Sequence, residues 1–196
     1  VNAWWRKEPL SDAEEHLLTT LFFAHVESAF RDNTSSVVVA SVADSSQDLS
    51  KALGAGILAL GGKHAPIEQT TEFLLKEEPW RQVDHLLYLG KKIPGWGGTF
   101  QKNQEDPVWD KVKKTLESHQ PELAEKIAAI TVELHNRGKK IWPNPSAYTA
   151  ATAIAVGMSS KLAVYLVIAC RLDAWSKIAA KYMEVEKWDM ALSSAV

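Results

Sequence analysis

The sequence predicts an all-α fold. Three observations carry that prediction. Apolar residues recur at helical spacing through most of the chain. Three prolines, in Asp106-Pro107, Gln120-Pro121 and Asn144-Pro145, each follow a polar residue, which reads as a helix start. Only Ser36 to Val42 (SVVVASV) looks locally like a strand, and small, helix-compatible residues follow it at once.

In chain order, Ser11 and Glu14 have the S-x-x-E spacing of a capping box. Leu17, Leu18, Leu21, Phe22 and His25 then recur at helical spacing, predicting a helix from about Asp12 to Phe30. Arg31 to Ser35 is polar and breaks it, and Ser36 to Val42 is helix or extended connector. Ser46 or Asp48 can cap an apolar helix that ends near Gly61. Pro66 suits the first turn of the next helix, to Glu77, because its missing N–H costs nothing there. Pro79 ends that helix, and Trp80 to Lys91 makes a short one. Lys92 to Glu105, with three glycines and a proline, is a structured loop. Helices are expected at about 107–118, 121–137 and 145–157, then from Ser160 to about Tyr182, with Gly138 as a C-cap. The total is seven or eight helices, followed by a weakly patterned tail in which Trp188 should dock.

The chain has 196 residues, 46% hydrophobic and 23% charged, enough for one sizeable core. A formal net charge of -2 gives no reason to invoke nucleic acid or an anionic membrane. The single cysteine, Cys170, lies in an apolar helical run and reads as a small core residue rather than a nucleophile. That run is apolar for only about ten residues, short of the roughly 20 that span a bilayer. The first ten residues lack the apolar centre of a signal peptide, so a soluble, cytoplasmic protein is expected.

Chemistry-bearing residues are few. His64 follows Gly61-Gly62-Lys63 at a helix–loop–helix corner, near the positive end of the second helix. There a neutral imidazole can donate to a developing oxyanion, or it can merely cap a turn. Pro94, Gly95, Trp96, Gly97 and Gly98 form a loop whose bare amides can approach a flat or anionic ligand, or simply join two helices. It lacks the Lys-Ser/Thr of a phosphate loop. Arg171 lies mid-helix among apolar residues, where it needs a carboxylate from the protein or from a substrate. The six histidines show no metal-ligand spacing.

Four of these stretches resemble the citrate synthase family, in order and in register. GILALGGKHAPIEQTTEFL resembles its catalytic-histidine loop, and IPGWGGTFQKNQEDPVW its P-G-[FYW]-G-H…K-N-x-D-P-R loop. IWPNPSAYTAATAIAVGM resembles its P-N-V-D-x-x-[ST]-G helix start, and LAVYLVIACRLDAWSKI the helix with a substrate-binding arginine. The resemblance covers roughly residues 10–182 of what reads as one shortened region, leaving 184–196 as a tail. It implies a citrate synthase-like helical fold, mainly the small domain with part of the large domain, and a homodimer. Full-length members carry a long N-terminal portion that is expected to be missing here. The helices around Ala52–Leu60 and Ala147–Val156 carry more small and apolar surface than one core needs, which also points to a helix–helix interface.

By the same resemblance the ligands are coenzyme A or an acyl-CoA and a small carboxylic keto acid, with no permanently bound cofactor. His64 matches the histidine that polarises the thioester carbonyl, Arg171 a carboxylate-binding arginine, and His25 falls near the histidine that contacts the keto acid. The CoA is expected at the Pro94–Lys102 loop, where exposed glycine amides and Lys102 can meet adenine edges and phosphate oxygens. Three positions depart from the pattern: Gly98 replaces a histidine acid, Ser146 an aspartate base, and Val108 an arginine clamp. His25, Glu27, His85 and Tyr148 are the plausible substitutes. Two readings follow. One is a citrate- or methylcitrate-synthase-type acyltransferase or lyase. The other is a degenerate member, a pseudoenzyme that acts as a CoA-binding or dimeric interaction protein.

Overall fold

The computed structural model describes residues 4–30, 34–60, 65–98 and 105–183. Among them the backbone folds into nine α-helices and two 3-10 turns, with one isolated bridge and no strand. The all-α expectation is met, with one or two helices more than expected.

Local caps set most boundaries. Helix α1 (Asp12–Ala29) opens on the expected capping box, with Ser11 N–H donating to Glu14 at 2.7 Å and Glu14 N–H to Ser11 Oγ at 3.3 Å. Such a cap contributes about 1 kcal/mol. Helix α2 (Thr34–Ser46) contains the valine run, which is therefore helix and not extended connector. Val39 and Ala43, one turn apart, are fully buried against Trp175 and Ala179, so tertiary packing overrides the local β preference. Asp48, not Ser46, caps α3 (Leu49–Leu58) by accepting from Lys51 N–H at 3.1 Å; Ser46 Oγ donates back to Val42 O.

Pro66 is the N-cap of α4 (Ile67–Leu74) rather than a residue of its first turn. The expected 80–91 helix is a 3-10 turn, Pro79–Gln82, running into the short α5 (Val83–Tyr88). A second 3-10 turn, Pro107–Trp109, precedes α6 (Asp110–His119), and α7 (Pro121–Asn136) follows. Gly138 takes the left-handed φ of 73° expected of a C-cap, and Lys139 N–H returns to Leu134 O at 2.9 Å. Helices α8 (Pro145–Ala155) and α9 (Ser160–Tyr182) complete the order.

Two apolar clusters hold these helices. The larger joins α1, α4, α6, α7, α8 and the first half of α9; the smaller joins α2 and α3 to the second half of α9. Helix α9, roughly 34 Å long at 1.5 Å per residue, runs through both. Gly56 permits the close approach of α3, because a Cβ there would lie 2.5 Å from Val39 and 3.2 Å from Trp175. Among the described residues no single helix is long and apolar enough to cross a bilayer.

The premise for an interface at α8 does not hold. Ala147, Ala150, Ala151 and Ala153 are fully buried within this chain, and α8 is its central helix. Helix α3 does keep an apolar face outward, with Leu58 86% exposed and Leu49 and Ile57 partly so.

Candidate functional site

The capped α1 carries His25 into the interior, where 1% of its surface is exposed. Its Nε2 lies 2.8 Å from Thr149 Oγ1 at the start of α8. Thr149 has one hydroxyl hydrogen, and that hydrogen goes to Pro145 O at 2.8 Å. The geometry therefore assigns the donor role to His25 Nε2–H and leaves Nδ1 as the acceptor nitrogen. Nδ1 is buried with no hydrogen-bond partner among the described residues. Burial first, and the nearby charge of Arg171 second, hold the imidazolium well below its ordinary range, so His25 is neutral.

Arg171 sits in the middle of α9, also buried, and its Nη1 donates to Ser35 Oγ of α2 at 2.9 Å. Burial lowers the guanidinium to about 10, which still leaves it cationic at neutral pH. Asp173, two residues on, pairs with Lys177 at 2.8 Å. Burial also pushes the Cys170 thiol up to about 12, which keeps it a core thiol as the sequence implied.

Beside His25 lies an aromatic stack. The Trp109 ring meets the His25 ring edge-on at 5.0 Å and stacks parallel to Tyr148 at 5.9 Å. Tyr148 donates its hydroxyl to Glu105, whose other oxygen takes Lys113 Nζ at 2.8 Å. Burial and that bond raise the phenol far above its ordinary range, so Tyr148 is a hydrogen-bond donor and no base. Ser146 is buried at the head of α8, where its N–H donates to the Asn144 cap at 2.8 Å. Val108 is half-buried, its N–H held by Asp106. Glu27 and His85 are exposed and take no part in this cluster.

The Pro94–Gly98 loop is built into the fold. Gly97 N–H donates to Trp142 O at 2.9 Å, Trp96 N–H to Ile93 O at 3.1 Å, and Asn144 bonds the carbonyls of Gly95 and Gly97. The expectation of bare amides is thus corrected at Trp96 and Gly97: both are already bonded within the fold. Trp96 is itself buried, with its indole N–H on Thr131 Oγ1 at 3.0 Å. Gly98 is exposed at the loop's end, and a side chain there would meet open space. His64, Lys102 and Trp188 lie outside the described residues.

His25 and Arg171 are thus brought together in the interior, while the glycine loop packs against the chain just before α8. Sequence reasoning missed Thr149, Trp109, Glu105 and Ser35. Thr149 lies one residue beyond Tyr148 in a quoted stretch, yet nothing local marks it as a partner of a histidine in α1.

Comparison with known proteins agrees with this architecture. The model of "Citrate synthase, C-terminal domain" matches residues 2–187. Among solved structures, a citryl-CoA lyase from Hydrogenobacter thermophilus is similar with a TM-score of 0.78 at 21% identity, covering 92% of this chain and 73% of that one. Citrate synthase from Thermotoga maritima gives 0.77 at 22% identity, over 91% of this chain and 51% of that one. Citrate synthase from Thermoplasma acidophilum, solved with carboxymethyl coenzyme A and oxaloacetate, gives 0.67 at 18% identity, over 90% and 49%. The chain therefore spans about half the length of these two synthases. No curated protein sequence matches it. With the family model covering nearly the whole chain, the protein belongs to the citrate synthase family.

Proposed function

We propose that this chain binds an acyl-CoA thioester together with a small carboxylic acid, and that it does not run the family condensation at a useful rate. One observation carries this reading. Ser146 heads α8 where the resemblance calls for a carboxylate base, and Glu105, which meets Tyr148 two residues further along that helix, is already shared between Tyr148 and Lys113. Serine has no basicity near neutral pH, so the methyl proton of a thioester has no acceptor there.

Binding draws its support from what the chain retains. Arg171 is a buried cation, the kind of side chain that gives a ligand carboxylate charge-assisted hydrogen bonds. His25 is neutral and held as an Nε2–H donor. His64 is the residue that would meet the thioester carbonyl, and Lys102 with Gly98 the CoA. The Thermoplasma acidophilum relative, solved with a CoA derivative and oxaloacetate, supports that pairing of ligands. A cytoplasmic homodimer, associating through the outward face of α3, belongs to the same proposal.

Calorimetric titration tests it. Coenzyme A and oxaloacetate are each expected to bind, with CoA affinity lowered in Lys102→Ala and oxaloacetate affinity lowered in Arg171→Met. Absence of heat at millimolar ligand rejects the reading. The second reading, catalysed condensation or cleavage of a carbon–carbon bond, is favoured by the neutral, buried His25 beside Arg171, and thiol release from acetyl-CoA tests it directly.

A further inference from the structure

We propose that Glu105 is a positioning residue for His25, acting through Tyr148 and the aromatic stack on Trp109. The contacts form one unbroken line from the surface inward. Lys113 Nζ holds Glu105 at 2.8 Å, Glu105 accepts the Tyr148 hydroxyl, Tyr148 stacks on Trp109, and Trp109 meets His25 edge-on at 5.0 Å. Lys113 and Glu105 are partly exposed, whereas Trp109, Tyr148 and His25 are buried to within 1%.

Glu105 reaches His25 by a second route as well. Tyr148 and Thr149 are neighbours in the first turns of α8, so a phenol fixed by Glu105 fixes how that turn presents the Thr149 hydroxyl. That hydroxyl takes the only hydrogen bond that the described residues offer the His25 ring. Both faces of the ring's environment, the indole edge and the hydroxyl, thus depend on one carboxylate. Glu105 also directly precedes Asp106, which caps the turn that carries Trp109, so the same segment sets the stack from its other end. With Nδ1 unpartnered, nothing else among the described residues selects the tautomer. A buried network of this kind is coupled, and the loss of one member is felt at the next.

The functional consequence rests on the reading of His25 as a ligand-contacting donor, but the effect on the ring is read without ligand. Imidazole nitrogen resonances of 15N-labelled protein, with His25 assigned by His25→Gln, report the tautomer. Wild type is expected as the Nε2–H form. Glu105→Ala and Tyr148→Phe are expected to shift the His25 nitrogens and mix the tautomers. Glu105→Gln, which keeps an acceptor for the phenol, is expected to restore the wild-type pattern. Thr131→Val, which removes the Trp96 bond elsewhere in the core, is expected to lower the melting temperature without moving His25. In the binding arm, oxaloacetate affinity should fall about tenfold in Glu105→Ala and Tyr148→Phe, the size of a coupling between contacting residues, and recover in Glu105→Gln. His25 resonances unchanged in both Glu105→Ala and Tyr148→Phe overturn the proposal; the isosteric Tyr148→Phe decides it if Glu105→Ala fails to fold. Wild-type protein that binds no oxaloacetate overturns the carboxylate reading instead, and the imidazole arm then decides the role of Glu105 alone.

Discussion

His25 on α1 and Thr149 on α8 share a 2.8 Å hydrogen bond across a sequence separation of 124 residues. Thr149→Val keeps the volume and leaves the Nε2–H buried without an acceptor. Its expected cost is about 1–3 kcal/mol in denaturant unfolding, the penalty of an unsatisfied buried donor. Thr149→Ser keeps the acceptor and should cost less. Equal losses in the two variants would show that the bond contributes nothing beyond packing.

The neutral His25 predicts a direction for acid sensitivity. Its proton affinity is lowered on folding, so below the ordinary value of 6.5 the unfolded chain binds a proton that the folded chain refuses. The stabilisation is therefore complete above that value and is lost as pH falls through it, by up to about 1.4 kcal/mol per pH unit. The capping Glu14, whose carboxyl is also lowered, acts in the same direction but only below about its ordinary 4.5. Urea melts between pH 7.5 and 5 lie above the range where Glu14 acts, and His25→Gln should flatten the slope. A wild-type slope that the variant retains would assign the effect elsewhere.

Gly95 is a place where backbone and neighbours both forbid a side chain. Its φ is +85°, and a Cβ would lie 2.6 Å from Thr70 and 3.3 Å from the Ala147 backbone. Gly95→Ala should destabilise by about 2 kcal/mol or more, from left-handed strain and overpacking together. Gly90 has a similar φ of +65° with nothing within 4 Å, so Gly90→Ala should show the strain alone, about 1 kcal/mol. Thermal melts of the pair separate the two contributions.

What could be read from the sequence divides along the same line between local and distant causes. The α1 capping box, the Asn144 cap and the Gly138 C-cap are contacts within a few residues, and all were legible. Helix α2 was not, because three successive valines look like a strand until Trp175 is brought against Val39 and Gly56. For the same reason the small-residue helix α8 reads as surplus apolar surface, when α1, α4, α6, α7 and α9 are packed around it as a core. His25 and Arg171 were reached through resemblance, while their partners Thr149 and Ser35 lie 124 and 136 residues away along the chain.

The last prediction concerns chemistry: the chain should not condense acetyl-CoA with oxaloacetate at a useful rate. The reaction needs a carboxylate to take a weakly acidic methyl proton, an imidazole to hold the resulting enol, and a second imidazole to protonate the ketone. His64 is the one of these three groups that the sequence retains at its motif position. Ser146 cannot take the proton, and its place at the α8 head is held by the Asn144 cap. Gly98 offers no side chain, and Val108 cannot grip a carboxylate. The two candidate substitutes nearest the site are otherwise engaged. Tyr148 holds its proton against Glu105, and His25 gives its Nε2–H to Thr149. Each lost acid–base group removes about 3 to 5 kcal/mol of barrier lowering, so two leave little above background. The K-N-x-D-P-R pattern has one residue between Asn and Asp where this sequence has two, Gln104 and Glu105, so a restored arginine at 108 would begin from a turn shifted by one residue and pinned to Tyr148 through Glu105. Gly98→His, Ser146→Asp and Val108→Arg together are therefore expected to recover only a trace of activity. A thiol-release assay on the wild-type chain checks the claim, and robust turnover that disappears in His64→Ala would refute it.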